Sequence, residues 1–237
     1  MPGSLLKYGA RRLIFDNSPR LLLISLFYVL MVTLISMLTY RLPGRINEQD
    51  ILSRLASGEI PGILIIYSNF RPIGAFLACL LLFINPIINF GFLSFCVKTN
   101  RSQDTDYKDL LNGFLFFSKV FMIFLITTIY IFLWSLLLII PGIVASYRYR
   151  QAYYILLDDP RKGVMQCIEE SKAMMHGSKV DLLTIDISFI GWYVLDFLIS
   201  IMMPLPFPFP IVSVWLSPYI GLTHAAFYED RVTRVAV

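Results

Sequence analysis

Two ionisable residues lie within apolar runs of the sequence, where polar side chains are costly. Asp186 interrupts the run "TIDISFIGW", and His224 lies in the last apolar run. If these runs cross a bilayer as helices, a rise of about 1.5 Å per residue puts both residues near the level of Asn89. The candidate intramembrane polar site comprises Asn85, Asn89, Asp186, Ser188 and His224.

This polar cluster has two interpretations. It could bind a cation, a proton or a substrate, because ionisable groups inside a membrane often mark such sites. In the structural alternative, Asp186 caps or pairs near the lipid headgroups, and the asparagines bond to neighbouring helices. The sequence leaves both open.

A second constellation combines an acid with two arginines. Asp196 lies further along the same run as Asp186, and Arg148 and Arg150 lie in a short apolar segment. Counted from the outer ends of their predicted helices, the acid and the arginines share a depth of roughly 7 to 11 Å. We therefore predict a structural ion pair between Asp196 and one of the two arginines, which would let the short segment cross the membrane.

Metal, cofactor and nucleic-acid chemistry find little support in the sequence. Cys79, Cys96 and Cys167 form no CxxC pair, and the chain has 2 histidines, so no metal centre is expected. No GxSxG, HExxH or phosphate-loop motif is present, so we assign no catalytic residue and expect no cofactor. The 20 basic residues are scattered between apolar runs, which disfavours nucleic acid as a partner.

The composition indicates an integral membrane protein. Apolar residues make up 57% of the 237 residues, charged residues make up 15%, and the mean hydropathy is +0.69. Such values are far from those of soluble globular domains. We predict an all-α polytopic bundle that forms a single membrane domain over residues 1–237. Its spans, about six in number, are 21–40, 73–97, 120–140, 143–157, 182–203 and 211–228.

The distribution of basic residues sets the predicted orientation. The segment 143–157 is short for a span and contains Arg148 and Arg150. If it crosses, most other lysines and arginines fall on one side, which the positive-inside rule assigns to the cytosol. If it does not, most of them fall outside. We therefore predict six spans, both termini in the cytosol, and a long outer connection over residues 41–72.

An amphipathic helix is predicted at about 160–176. Asp159-Pro160 fits a helix start, and Gly177 fits a C-terminal cap. We expect this helix to lie on the cytosolic surface, with its basic side chains toward anionic lipid headgroups. These side chains are Arg161, Lys162 and Lys172. The simpler alternative is a connector whose charges only mark the cytosolic side.

Several short motifs in the second half of the chain resemble one known family. They are "IPGI" at 140–143, "YYILLDDP" at 153–160, "SKAMMHG" at 171–177, "SFIGW" at 188–192, "PY" at 218–219 and "AAFYED" at 225–230. In this order they resemble the multi-pass bacterial membrane proteins grouped as domain of unknown function 975. The resemblance implies a polytopic helical protein of Gram-positive bacteria, and it brings no established activity or catalytic residue.

These patterns predict a multi-pass protein of the bacterial cytoplasmic membrane. The favoured function is non-enzymatic: a transporter-like module, or an accessory or immunity-type subunit that binds a membrane protein partner. The alternatives are a membrane scaffold and an intramembrane enzyme that uses Asp186 and His224 on a lipid-linked substrate. A transporter needs polar residues along a continuous cavity, whereas the enzyme needs Asp186 and His224 within hydrogen-bonding reach in one pocket.

Overall fold

The computed structural model describes residues 3–17, 19–41, 72–202 and 210–235. Within these ranges the chain forms helices and no β-strand, which confirms the predicted all-α class. The predicted outer connection, apart from its two ends, lies outside the described residues. The α-helices are α1 (Gly3–Asn17), α2 (Arg20–Arg41), α3 (Pro72–Asn100), α4 (Asn112–Leu115), α5 (Phe117–Leu137), α6 (Ile139–Tyr149), α7 (Ala152–Asp158), α8 (Val164–Met174), α9 (Lys179–Ile187), α10 (Ile190–Met202) and α11 (Ile211–Val235).

The chain divides into two compact units. The larger unit is formed by Met1–Val29 and Pro86–Val237, and the smaller by Leu30–Asn85. The described residues of the smaller unit are the end of α2 and the start of α3. The larger unit holds the other helices around an apolar core. Its large, almost fully enclosed side chains include Ile87, Phe90, Ile123, Leu156, Leu182, Leu222 and Phe227.

Four helical segments are long and apolar enough to cross a membrane. They are Arg20–Thr39, Pro72–Asn100, Phe117–Leu137 and Lys179–Ile199, and they coincide with the first, second, third and fifth predicted spans. The other two predicted spans, 143–157 and 211–228, are helical but do not belong to these four. The described part of the chain therefore supports a membrane protein, while six crossings and their orientation stay predictions.

The hairpin of α5 and α6 corrects the predicted start of one helix. Pro141-Gly142 indicated a break before residue 143, but α6 begins at Ile139, after the extended residue Leu138. Pro141 falls in the first turn, where no helical hydrogen bond needs its missing N–H group. A Cβ added to Gly142 would lie 2.0 Å from Oγ of Ser135, so the absence of a side chain lets the two helices approach closely.

The start of α8 is also later than predicted. The Asp159 carboxylate accepts a hydrogen bond from the N–H of Arg161 at 3.0 Å, and its carbonyl accepts one from Lys162 at 3.1 Å. With Pro160 in second position, this is a four-residue turn rather than a helix start. The helix begins only at Val164, so the predicted boundary at about 160 is wrong.

Two breaks define the ends of α9. Before it, Gly177 has a φ of +78°, a conformation that favours glycine, but it lies three residues after the end of α8, whose C-cap is Met175 and not the predicted Gly177. After it, α9 ends at Ile187 and α10 begins at Ile190, so the fifth predicted span consists of two helices. The N–H of Phe189 bonds to the carbonyl of Asp186 at 3.0 Å, which closes a tight turn next to the candidate acid.

Candidate functional site

Three helices bring polar side chains to one point in the larger unit. Tyr147 lies near the end of α6, and Arg150 directly follows that helix. Asp186 lies in the last turn of α9, which packs against α6, and His224 lies in α11. Because Tyr147 and Arg150 are three residues apart, they lie on one face of a helical turn and can reach the same partner.

Both oxygens of the Asp186 carboxylate have hydrogen-bond partners. Oδ1 lies 2.7 Å from Nε2 of His224, and Oδ2 accepts hydrogen bonds from the Tyr147 hydroxyl at 2.9 Å and from Nη1 of Arg150. The side chains of His224, Asp186 and Arg150 are 9%, 23% and 37% exposed. The acid is therefore paired on both sides, as a largely enclosed charge requires.

The contacts of His224 favour one tautomer. A carboxylate only accepts hydrogen bonds, and a guanidinium only donates them. Nε2 faces Asp186, while Nδ1 lies 3.4 Å from Nη2 of Arg150. A neutral ring with its proton on Nε2 satisfies both contacts, whereas a protonated ring would point an N–H group at the arginine. The cluster then combines one negative, one positive and one neutral group.

Two cavities meet at this cluster. One has a volume of about 360 Å³ and is lined by Asp186, Arg150 and His224 among others. The second has a volume of about 330 Å³, and its lining includes Asn89 and Ser217 together with the same arginine and histidine. Both volumes lie at the lower end of the range for small-molecule sites. Arg150 and His224 thus line both cavities.

The predicted polar residues are only partly gathered around Asp186. His224 contacts it, and Asn89 lines the second cavity, where it accepts a hydrogen bond from the Tyr28 hydroxyl at 2.6 Å. Ser188 is exposed and accepts a hydrogen bond from Lys7 instead. Asn85 is half-buried and belongs to the smaller unit.

The predicted pairing of Asp196 with an arginine is not what the structure shows. Its carboxylate accepts hydrogen bonds from the N–H of Val212 and the hydroxyl of Ser213, both at 3.1 Å. These groups lie in the first turn of α11, so the acid caps that helix from a neighbouring one. Arg150 pairs with Asp186, and Arg148 makes no ion pair with any described residue. The helix of the arginines begins four residues earlier than predicted, which moves them about 6 Å further along it.

Sequence reasoning missed two partners of Asp186. The sequence predicts Arg150 as a partner of Asp196, and it predicts no role for Tyr147 in the cluster. The signal that could have found them is their three-residue spacing at the end of one helix, which places a cation and a hydroxyl donor on the same face. This spacing predicts that Tyr147 and Arg150 can donate hydrogen bonds to the same acceptor, but it does not predict which acid is that acceptor.

Comparison with known proteins identifies the family of the C-terminal segment. The family model described as "Protein of unknown function (DUF975)" matches residues 135–234. The predicted resemblance is confirmed over this segment. No curated protein and no solved structure matches the chain. The DUF975 segment contains Tyr147, Arg150, Asp186 and His224, so every direct partner in the cluster lies within it.

The DUF975 segment also contributes to an ion cluster at the end of α3. Arg101, outside the segment, donates hydrogen bonds to Asp158 at 2.8 Å and to Glu229 at 2.7 Å, and Tyr228 donates one to Asp158 at 2.6 Å. Burial alone would lower the pKa of Arg101, but the bonds to both carboxylates outweigh it and raise the pKa. Arg101 directly follows α3, Asp158 lies in α7 and Glu229 lies in α11. We therefore interpret this cluster as a set of ion pairs that holds the three helices together.

Proposed function

We propose that the chain is a transporter-like, non-enzymatic protein of the bacterial cytoplasmic membrane that binds a small polar ligand at the Asp186 cluster. The observation that carries this proposal is the position of Arg150 and His224, which line both cavities. Polar side chains that line two cavities are the arrangement expected of a ligand site in a membrane protein.

The chemistry of the cluster favours a ligand that accepts hydrogen bonds. Both oxygens of Asp186 already have partners, and the positive charge of Arg150 beside them disfavours a cation at this carboxylate. Arg150 has five N–H donors and is 37% exposed, which leaves donors for a ligand. A carboxylate, a phosphate or an uncharged acceptor fits this donor set better than a metal ion does.

Cysteine accessibility tests whether the second cavity is wet. Ser217→Cys places a thiol in its lining, and Leu198→Cys is a matched control at an exposed apolar position of α10. Both variants are made with the exposed Cys79 changed to Ser. In membrane vesicles, a charged, membrane-impermeant thiol reagent should modify Ser217→Cys and leave Leu198→Cys unmodified.

The charge of the reagent tests the cluster itself. Arg150→Gln leaves the charge of Asp186 uncompensated, so it should shift the reactivity of Ser217→Cys toward a cationic reagent and away from an anionic one. If Ser217→Cys is as unreactive as Leu198→Cys, the cavity is closed and dry. The proposal then fails, and a scaffold becomes the better interpretation.

The contact between Asp186 and His224 also favours a second candidate, an intramembrane enzyme that acts on a lipid-linked substrate. The 2.7 Å distance is short enough for an acid to orient a histidine as a general base. However, the other ring nitrogen faces Arg150, and no described nucleophile bonds to it. Release of inorganic phosphate from a lipid-linked pyrophosphate, abolished by His224→Gln, would favour the enzyme over the transporter.

A further inference from the structure

The N-terminal helix α1 is docked on the larger unit by one face. Leu6, Ala10 and Ile14 recur every four residues and are 5%, 1% and 2% exposed. They form the inner face of α1, which packs against α11 and α9. Lys7 adds a polar anchor, because its ammonium group donates a hydrogen bond to Ser188. The position of α1 on α9 and α11 is therefore fixed by packing.

The opposite face of α1 carries large apolar side chains. Leu5, Tyr8 and Phe15 are 56%, 69% and 69% exposed. At 3.6 residues per turn these three side chains fall within an arc of about 80°, centred about 180° from the arc of the buried residues. A docked helix in water would place polar residues on this face, so we call these three side chains the outer apolar face of α1 and ask what covers it.

Charge and chain connectivity identify the occupant. Arg11 and Arg12 are exposed, Arg11 beside the arc of the outer apolar face and Arg12 within it. Arg12 lies 3.6 Å from Asp16, the one acid of α1. Helix α2, which is long and apolar enough to cross a membrane, begins at Arg20, three residues after α1 ends. An apolar face that carries two arginines, directly before a candidate membrane span, fits the boundary between headgroups and acyl chains of an anionic bilayer.

We propose that α1 is an interfacial helix whose outer apolar face inserts into an anionic lipid surface, with Arg11 and Arg12 on the headgroups. This surface differs from the one predicted at α8. There Lys162 is engaged by Glu170 at 2.6 Å, and the exposed side chains include the acid Glu169. The proposal does not depend on the cavities or on any ligand of the Asp186 cluster.

Fluorescence quenching in lipid nanodiscs tests this proposal on the full chain. A fluorophore is attached to Tyr8→Cys, and to Gln103→Cys as a control at an exposed position of the connection after α3, with Cys79 changed to Ser in both. The quencher is a nitroxide on the lipid acyl chain close to the headgroup. We expect quenching at Tyr8→Cys, stronger with phosphatidylglycerol than with phosphatidylcholine, and little quenching at Gln103→Cys. The double change Arg11→Gln and Arg12→Gln should reduce the preference for the anionic lipid by about fivefold per arginine.

Three results would overturn the proposal. Equal quenching at Tyr8→Cys and Gln103→Cys would show that α1 has no special contact with lipid. Equal quenching in the two lipids would remove the anionic headgroup from the interaction. Absence of quenching together with disulfide formation between two copies of Tyr8→Cys would assign the outer apolar face to a second copy of the chain.

Discussion

Replacing Asp186 by Asn is the most direct test of the cluster. The amide keeps the shape of the side chain but removes its charge, so Arg150 loses its counter-ion while staying partly enclosed. The Tyr147 hydroxyl and the His224 ring also lose a charged acceptor. We expect Asp186→Asn to lower the free energy of unfolding, because an unpaired charge in a low-dielectric site is unfavourable.

The magnitude follows from the exposure of the pair. Removal of one partner from a fully buried pair costs about 3 to 5 kcal/mol, and an exposed pair contributes about 0 to 1 kcal/mol. Arg150 and Asp186 are 37% and 23% exposed, between these limits. We therefore expect Asp186→Asn to destabilise the protein by about 2 kcal/mol. The double variant with Arg150→Gln should be more stable than the sum of the single effects predicts, by about 1 to 2 kcal/mol.

A double-mutant cycle measures this coupling directly. Unfolding is followed in mixed micelles with increasing sodium dodecyl sulfate, for the wild type, both single variants and the double variant. A parallel cycle combines Asp186→Asn with Arg148→Gln. Arg148 is the matched control, since it is the same residue type two positions away and has no ion pair among the described residues. Its cycle should be additive within about 0.5 kcal/mol.

The proposed ion pair is wrong if the Arg148 cycle shows coupling and the Arg150 cycle is additive. That result would mean that the acid has a different partner. A cost below about 0.5 kcal/mol for Asp186→Asn would mean that water screens the pair as it screens surface charges.

Two further predictions concern packing and capping. Asp196→Ala should destabilise the protein by about 1 kcal/mol, as loss of a helix cap does. In the same unfolding assay its effect should be additive with that of Arg150→Gln. Coupling between the two variants would support the ion pair predicted from the sequence. Gly142→Ala should cost about 1 to 3 kcal/mol, because its new Cβ would meet Ser135. Adding Ser135→Ala should recover part of this loss, and no recovery would place the strain elsewhere.

Apolar runs predicted most helices of the chain, because about 20 consecutive apolar residues have few other stable arrangements in a membrane. The boundaries failed where local turn chemistry decides them. Pro141 was interpreted as a break, although proline is tolerated in a first turn. Asp159-Pro160 was interpreted as a helix start, although the same pair also forms a turn. Each motif is compatible with two local backbone structures, and tertiary packing determines which one forms.

The site was harder to predict than the fold. Asp186 and His224 were placed at a similar depth, and the structure brings them into contact. The arginine was assigned to Asp196 because depth was counted from a helix start that was four residues too late. A shift of about 6 Å is enough to change which acid a side chain reaches. Partners of buried charges therefore depend on helix register, which apolar composition does not define.

The pairing has a consequence for the proposed function. Because Arg150 and Asp186 neutralise each other and His224 is neutral, the cluster is polar without net charge. An anionic ligand can use the guanidinium fully only if it competes with Asp186 for the same donors. The free energy of binding must then offset the coupling between the two residues, since a ligand shifts an equilibrium only by its differential affinity. The coupling free energy measured in the Arg150 cycle is thus the free energy that an anion must offset when it displaces Asp186 from Arg150.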